Sequence, residues 1–525
     1  MQRRLPSAMI LAAAFTAFAI CTSGANAAAP RGPNILLILC DDVGYSDYGC
    51  FGSEIATPHI DSLARDGLTF TRFYNNAVCV PTRASLVSGL YPRYIPKDIR
   101  LTPEMPTVAE ALRSAGYRTS LSGKWHLGRT APNHPLDRGF EVYYGLLDGC
   151  SNHHDPSMRD PAFEGGRLRN WSDGRTQLTS FPPDFYSTDA ITDHALAQMR
   201  RFKAEGDAPF FVHVCFTAAH SPLHAKPADI AKYAGKYTSG WDALREVRRL
   251  RQLKLGLTDP AWTVSPREPE FKAWEDEPLK EWNANLMTVY AAMVDSIDQN
   301  IGRLLKALDE LQVAEDTIVI VLNDNGGCAE QAGGDDPTNI AGPREHYVSC
   351  GPGWGYAQNT PFRRYKAWTH EGGISTPCLV RWPKVVKPGT STRAVGHVID
   401  WMPTLLEAAG TAAPRERNRL QAPPLEGISL MPILRGREPG ERGPLYWASL
   451  DNRAIRRGDW KLVWDQNIRR WELYNVVADR TEMHDRSTAE PQLARELETL
   501  WNAWAEQTGA VHKLGQKYTL IRVKP

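Results

Sequence analysis

Cys79-Val80-Pro81-Thr82-Arg83 puts a sulfur nucleophile, a backbone-fixing proline and a permanent cation within five residues. On those residues alone a packed thiol or half a disulfide is the simpler reading, since cysteine reacts as thiolate and needs a polarising environment. The proline-free run from Ala84 to Leu90 suits a helix whose N-terminus lies close to Cys79, bringing N–H groups towards a developing anion. Two acidic stretches elsewhere strengthen the chemical reading. The apolar run Asn34–Cys40 stops at Asp41-Asp42, and Thr317–Leu322 stops at Asn323-Asp324-Asn325. Carboxylates at the end of a buried strand are costly unless a cation neutralises them; the alternative is a solvated turn. Asp41, Asp42, Asp324 and Asn325 are hard oxygen ligands that suit Ca²⁺ or Mg²⁺, with Ca²⁺ better served by several carboxylate and amide oxygens.

Lys124 and His126, two apart at a strand end, can point the same way. His220 follows another strand, and Lys366 follows a long loop. A divalent cation ringed by Arg83, Lys124, His126, His220 and Lys366 describes a pocket for a compact tetrahedral oxyanion, sulfate or phosphate. Residue chemistry therefore points to a metal-assisted hydrolase of anionic esters.

These residues need strands to carry them. Continuous apolar runs at 34–40, 210–216 and 317–322 read as buried parallel strands, and helical stretches such as Asp189–Phe202 and Asn285–Leu308 lie between them. The alternation predicts an α/β fold: a large, mostly parallel sheet covered by helices on both faces, with its site beyond the C-terminal strand ends. Short antiparallel strands and one helix, Pro491–Gln507, follow the linker near 411–424 as a small C-terminal subdomain. Residues 147–185, with His153, His154 and Asp155, read as surface loop near the site mouth, and 326–361 as a long Gly/Pro-rich loop with a functional reason for its length. His213, Cys40 and Cys215 read as core side chains. Arg245, Arg248, Arg249 and Arg251 read as one solvated helix face.

The 61 basic and 60 acidic residues among 525 leave no global field for nucleic acid or an anionic membrane. Arg3-Arg4, the apolar run Ala8–Ile20 and Ala25-Asn26-Ala27 form an export signal over 1–27, too short to span a membrane, so the expectation is an exported protein, periplasmic or secreted. The nine cysteines contain no CxxC pair, which disfavours zinc; Cys328 and Cys350, flanking a Gly-rich loop, could pair.

Cys79-x-Pro81-x-Arg83 with Leu86 and Gly89 resembles the signature of the sulfatase family. Asp41-Asp42, Gly123-Lys124-Trp125-His126, His220-Ser221-Pro222, Asp324-Asn325-Gly326, and Lys366 with Glu371-Gly372-Gly373 match further sulfatase blocks in the same order. Residues 232–292 are similar to bacterial arylsulfatases in particular. Val80, Val87-Ser88 and Leu90 depart from commoner residues, which bears on maturation efficiency. The resemblance implies an alkaline-phosphatase-like fold, a catalytic domain over 31–440 and a C-terminal subdomain over 441–525. It also implies oxidation of Cys79 to Cα-formylglycine by a formylglycine-generating maturation enzyme. The hydrated aldehyde at 79 would then share a Ca²⁺ with Asp41, Asp42, Asp324 and Asn325, and attack sulfur in line. Arg83 would hold the diol, while Lys124 and Lys366 neutralise sulfate oxygens. His220 would help the alcohol depart, and His126 would assist expulsion of sulfate. Small aryl sulfates and sulfated carbohydrates both stay open as substrates. The rival readings are a phosphate or phosphonate ester hydrolase of the same superfamily and a sulfate- or glycan-binding protein without turnover.

Overall fold

Strand β1 (Asn34–Cys40) is apolar on both sides because it has a core on both sides. Leu36, Ile38 and Cys40 join one buried cluster, and Ile35, Leu37 and Leu39 join another. Period-2 alternation sends neighbours to opposite sheet faces, so a doubly covered strand reads as an unbroken hydrophobic run. In the computed structural model, which describes residues 32–95, 98–269 and 271–516, this strand lies inside a ten-stranded sheet. The expected signal segment 1–27 falls outside the described residues.

The other strands are β2 (Leu68–Tyr74), β3 (Arg118–Gly123), β4 (Val142–Leu146), β5 (Trp171–Asp173), β6 (Thr176–Gln177), β7 (Phe210–Cys215), β8 (Thr317–Asn323), β9 (Ser375–Arg381) and β10 (Thr390–His397), in the order β10-β2-β9-β8-β1-β7-β3-β4-β5-β6. The run β8-β1-β7-β3-β4 is parallel, whereas β9 lies antiparallel between β8 and β2. The sheet is therefore mixed at its edges and parallel where it matters. Cys40 pairs with Asn323 and Gly123 with Cys215, so β8, β1, β7 and β3 end along one rim. Gly123 is required there: with φ of 114°, a Cβ would fall 1.9 Å from the Cys215 carbonyl oxygen.

The helices around the large sheet are α1 (Cys79–Ser88), α2 (Val108–Ser114), α3 (Ser187–Ala204), α4 (Gly240–Lys254), α5 (Lys280–Glu310), α6 (Gly351–Gln358) and α7 (Trp401–Ala408), and α8 (Pro491–Thr508) belongs to the C-terminal part. α3 and α5 cover one face through Met199 and Ile297, and α2 and α7 cover the other through Leu112 and Leu405. α1 starts at Cys79 itself, earlier than the helix read from Ala84. Pro81 is accommodated because it sits in the first turn, where its missing N–H costs nothing. Helix α6 was not legible inside the Gly/Pro-rich stretch 326–361. It forms because Trp354 buries fully against Trp241, with ring centroids 5.5 Å apart.

The arginines of α4 correct the solvated-face reading. Arg248 is fully buried; it donates to Asp47 Oδ1 at 2.5 Å and Glu54 Oε2 at 2.9 Å. Arg245, also buried, donates to the carbonyls of Tyr356 at 2.6 Å and Pro361 at 2.8 Å. Only Arg249 and Arg251 keep solvent contact. A helix wheel cannot reveal this, since the Arg248 acids lie about two hundred residues away and the Arg245 carbonyls more than one hundred. The loop after Asp41-Asp42 is thus fastened from beneath by Arg248. Arg248→Met should cost about 3–5 kcal/mol in urea denaturation, because Asp47 would be left buried and unpaired.

The C-terminal sheet has strands β11 (Leu445–Ser449), β12 (Asn452–Arg457), β13 (Trp460–Asp465) and β14 (Arg470–Asn475), all antiparallel, with α8 packed on it through Trp501. β12 was missed because Arg453, Arg456 and Arg457 mask its apolar alternation. No helix among the described residues is long and apolar enough to cross a membrane.

Candidate active site

Strand register assembles the acidic end of the site. Because Cys40 sits opposite Asn323, the next residues, Asp41 and Asp324, emerge side by side, and Asp324 N donates to the Cys40 carbonyl at 3.0 Å. Asp41, Asp42, Asp324 and Asn325 are all essentially buried. Three cations answer the three carboxylates. Lys124 Nζ lies 2.5 Å from Asp41 Oδ2, Arg83 Nη2 lies 2.7 Å from Asp324 Oδ2, and Lys366 Nζ lies 2.8 Å from Asp42. Arg83 also donates to the Lys124 carbonyl at 2.8 Å, tying α1 to the end of β3. Asp42 has φ of 54°, a left-handed conformation that Asp tolerates at modest cost, and Asn325 Nδ2 donates to its carboxylate at 2.6 Å.

Two polar atoms in this nest have no hydrogen-bond partner: Asp41 Oδ1 and Asn325 Oδ1. Buried oxygens are rarely left so, and both are hard acceptors beside further carboxylates. Ligand atoms of Asp41, Asp42 and His220 also lie within 4.8 Å of one another. The donor set fits a hard divalent cation. Burial, and then Asp324, push the Asp41 carboxyl up to about 8 despite Lys124 and Arg83. Burial acts the same way on Asp42 but is outweighed, chiefly by Lys366, so that carboxyl stays below its ordinary range. Burial and the neighbouring carboxylate thus oppose ionisation of Asp41 even though each acid of the cluster has a cation beside it.

Cys79, at the start of α1, is 6% exposed, with Sγ 3.4 Å from His126 Nδ1. Burial raises its thiol pKa even with Lys124 nearby, so the unmodified side chain is a neutral thiol and a poor nucleophile at neutral pH. Burial first, then the charges of Lys124 and Arg83, hold His126 well below the ordinary imidazole range. Burial does the same to His220, whose Nε2 stands 3.5 Å from Asp42 Oδ2. Both imidazoles are neutral before substrate binds. All the residues singled out in the sequence thus meet at one rim: Arg83, Lys124 and Lys366 on the carboxylates, and Cys79, His126, His220 and Lys366 on the wall of one cavity of about 550 Å³.

Gly149, Cys150, Glu164, Arg167, Arg169 and Glu330 also line that wall, so both long loops reach the chamber. Sequence reading placed the loops there without identifying these side chains, which carry no motif. It also misjudged His153, which is buried. Its Nε2 lies 3.0 Å from the His220 carbonyl oxygen and its Nδ1 lies 2.7 Å from Ser187 Oγ, bracing the segment that presents His220. Cys328 and Cys350 are both free thiols, so the suggested disulfide is not formed. His213 is the expected core side chain, with Nδ1 3.0 Å from the Leu37 carbonyl oxygen. A second ligand-like cluster, His370, Asp465 and Glu472, is already occupied by Arg364 on Asp465 at 3.0 Å and Arg363 on Glu472 at 3.2 Å.

Burial lowers His153, His194 and His213 to about 4 and His224 to about 3, so they fold as neutral bases. Their stabilisation is complete above the unfolded value near 6.5 and is lost as pH falls through 4, because the unfolded chain then binds the extra protons. Thermal melts should therefore fall steadily between pH 6.5 and 4.

Residues 33–411 match the family model described as Sulfatase. This chain belongs to the sulfatase family. A second model, described as the C-terminal part of N-sulphoglucosamine sulphohydrolase, matches residues 363–507. Across 91% of its length this sulfatase is 30% identical to an uncharacterized sulfatase of Schizosaccharomyces pombe, covering 94% of that protein. It is 31% identical to an arylsulfatase of Klebsiella aerogenes, over 79% of this chain and 94% of the relative. The crystal structure of Ps i-CgsB in complex with k-i-k-neocarrahexaose superimposes with a TM-score of 0.66 and 25% identity, over 90% of this sulfatase and 93% of that chain. The architecture is the alkaline-phosphatase-like one, and the activity is that of a sulfuric ester hydrolase.

Proposed function

We propose that this sulfatase cleaves sulfate monoesters through a formylglycine made from Cys79, assisted by Ca²⁺. The observation that carries the reading is the meeting of three buried carboxylates and three buried cations beside Cys79, at the ends of four parallel strands. Asp41, Asp42, Asp324 and Asn325 would hold Ca²⁺ together with residue 79. The ion would supply Lewis acidity towards the sulfate oxygens, a role for which Mg²⁺ is the poorer fit. Once converted and hydrated, residue 79 would supply the nucleophilic oxygen that a neutral thiol cannot.

The remaining steps belong to side chains in place. Arg83, fixed by Asp324 and the Lys124 carbonyl, orients the nucleophile. Lys124 and Lys366, held at the rim by Asp41 and Asp42, offer their charge to the sulfate oxygens. The negative substrate raises the two depressed imidazoles. His220, beside Lys366 and Asp42, then gives a proton to the departing alcohol oxygen. His126, adjoining residue 79, accepts the second hydroxyl proton so that sulfate leaves and the aldehyde returns. The formylglycine-generating enzyme is the partner this requires. We also propose export to the periplasm or the medium on the strength of residues 1–27, and a functional division near 440. The leaving group is an aryl alcohol or a sugar hydroxyl; the Klebsiella relative is named an arylsulfatase, and Ps i-CgsB holds a carrahexaose.

Peptide mass spectrometry across residue 79, paired with sulfate release from 4-nitrophenyl sulfate, tests the reading. A loss of about 18 Da relative to cysteine, accompanied by turnover, is the expected result. Unmodified cysteine without turnover, from a host that converts a control sulfatase, would overturn it.

A further inference from the structure

A second groove, of about 600 Å³, lies between the edge of the large sheet and the C-terminal sheet, and it shares no lining residue with the catalytic chamber. β10 is the edge strand, and its pairing with β2 slips between Thr392 and Val395. Such irregularities re-aim side chains, and this one leaves Arg393 exposed on the groove. Arg456 enters from β12, opposite. Arg72 stands behind them on β2, paired with Val395. Burial, and then the charges of Arg480, Arg456 and Arg393, hold its guanidinium below its ordinary range.

Among the described residues, none of Arg72, Arg393 and Arg456 has a carboxylate at ion-pair distance. Arg456 is only 4% exposed, and its hydrogen bonds go to Tyr74 Oη at 2.5 Å and the Gly458 carbonyl at 3.1 Å, both uncharged. Arg83 and Arg248, also buried, each meet acids, whereas buried Arg245 is satisfied by carbonyl and hydroxyl oxygens alone. Glu371 answers Arg456 from behind, one step away through Tyr74 Oη, which donates to it at 3.0 Å; on the groove side the gathered guanidiniums repel one another with no acid among the described residues in contact, and an anion lowers that repulsion. The groove's own acids, Glu441 and Asp459, are exposed to solvent, and half-buried Trp460 adds an aromatic face.

We propose that this groove binds an anionic, sulfated polysaccharide, with Arg393 and Arg456 taking sulfate oxygens and Trp460 a sugar face. Planar guanidiniums match tetrahedral oxyanions through paired N–H groups, and an indole ring packs on the apolar face of a pyranose. A second contact raises the effective concentration of a polymer at the enzyme without any new chemistry.

The test is binding of dextran sulfate to the intact enzyme by titration calorimetry, with unsulfated dextran as control. Wild type should bind the sulfated polymer only. Arg393→Glu should weaken that binding about tenfold or more, while Arg393→Lys keeps most of it and both variants retain turnover of 4-nitrophenyl sulfate. Equal binding by Arg393→Glu would overturn the proposal, as would complete displacement of dextran sulfate by the small aryl sulfate, which would place the polymer in the catalytic chamber. Equally tight binding of duplex DNA would overturn the saccharide assignment. Since binding is read without turnover, its failure leaves the hydrolase reading untouched, and loss of 4-nitrophenyl sulfate turnover in wild type leaves the groove untouched.

Discussion

Cys79→Ala should lower kcat for 4-nitrophenyl sulfate by about 10⁴-fold or more while leaving the fold intact. The size of the effect follows from what the chamber lacks. Apart from Cys79, the sulfur and nitrogen groups on its wall are Cys150, the two neutral imidazoles His126 and His220, the guanidiniums of Arg167 and Arg169, and Lys366, which is held as a cation by Asp42. Burial raises the Cys150 thiol, which makes it as unreactive as unmodified Cys79. The small effect on stability follows from packing. Cys79 Sγ has one polar neighbour, His126 Nδ1, and α1 is held by Arg83 rather than by the thiol. Circular dichroism and the melting temperature should match wild type to within about 1 kcal/mol of stability. Measurable turnover by Cys79→Ala would mean that the nucleophile is another group, or water.

Stripping divalent cations with EGTA should cut turnover at least about 100-fold, with Ca²⁺ restoring it better than Mg²⁺. The charge arithmetic gives the reason. Asp41, Asp42 and Asp324 against Arg83, Lys124 and Lys366 come to zero when all are ionised, and a protonated Asp41 leaves a single surplus positive charge for a sulfate ester. With those carboxylates ionised and holding a divalent cation, the rim would carry +2, and Lys124 and Lys366 would be left with charge to offer the ester. The same ion would offset the burial and the Asp324 charge that together push Asp41 up, so stability should change as well. Saturating Ca²⁺ at a hundred times its dissociation constant should add about 2.7 kcal/mol, visible as a rise in melting temperature. Asp324→Asn should weaken both responses, since it removes an oxygen charge and loosens Arg83 together. Full turnover at sub-stoichiometric metal, measured by elemental analysis, would count against the metal reading.

The acidic rim of this sulfatase was legible because Asp41, Asp42 and Asp324 follow strand ends, and strand ends announce themselves. An apolar run that breaks at Asp41-Asp42, and another that breaks at Asp324-Asn325, say that charge follows burial, and only a cation makes that arrangement cheap. The Cys-x-Pro-x-Arg spacing is local, within one helical turn and the next, so it survives as a pattern in one dimension. Both cores were legible for the same reason: β1 buries both faces, and nothing but an unbroken apolar run can do so.

Register was beyond the sequence. That Cys40 pairs with Asn323 makes Asp41 the neighbour of Asp324, and a slip of one residue would have turned them to opposite faces. Partners distant in the chain were equally hidden. Arg245 and Arg248 look like a solvated stripe until Asp47, Glu54 and the 356–362 backbone close over them, and His153 looks like loop until it lies under His220. The aromatic burial that turns 351–358 into a helix is of the same kind. Local pattern reports what a residue prefers near its own neighbours, whereas the worth of a buried charge depends on a partner that only the folded chain brings within 3 Å.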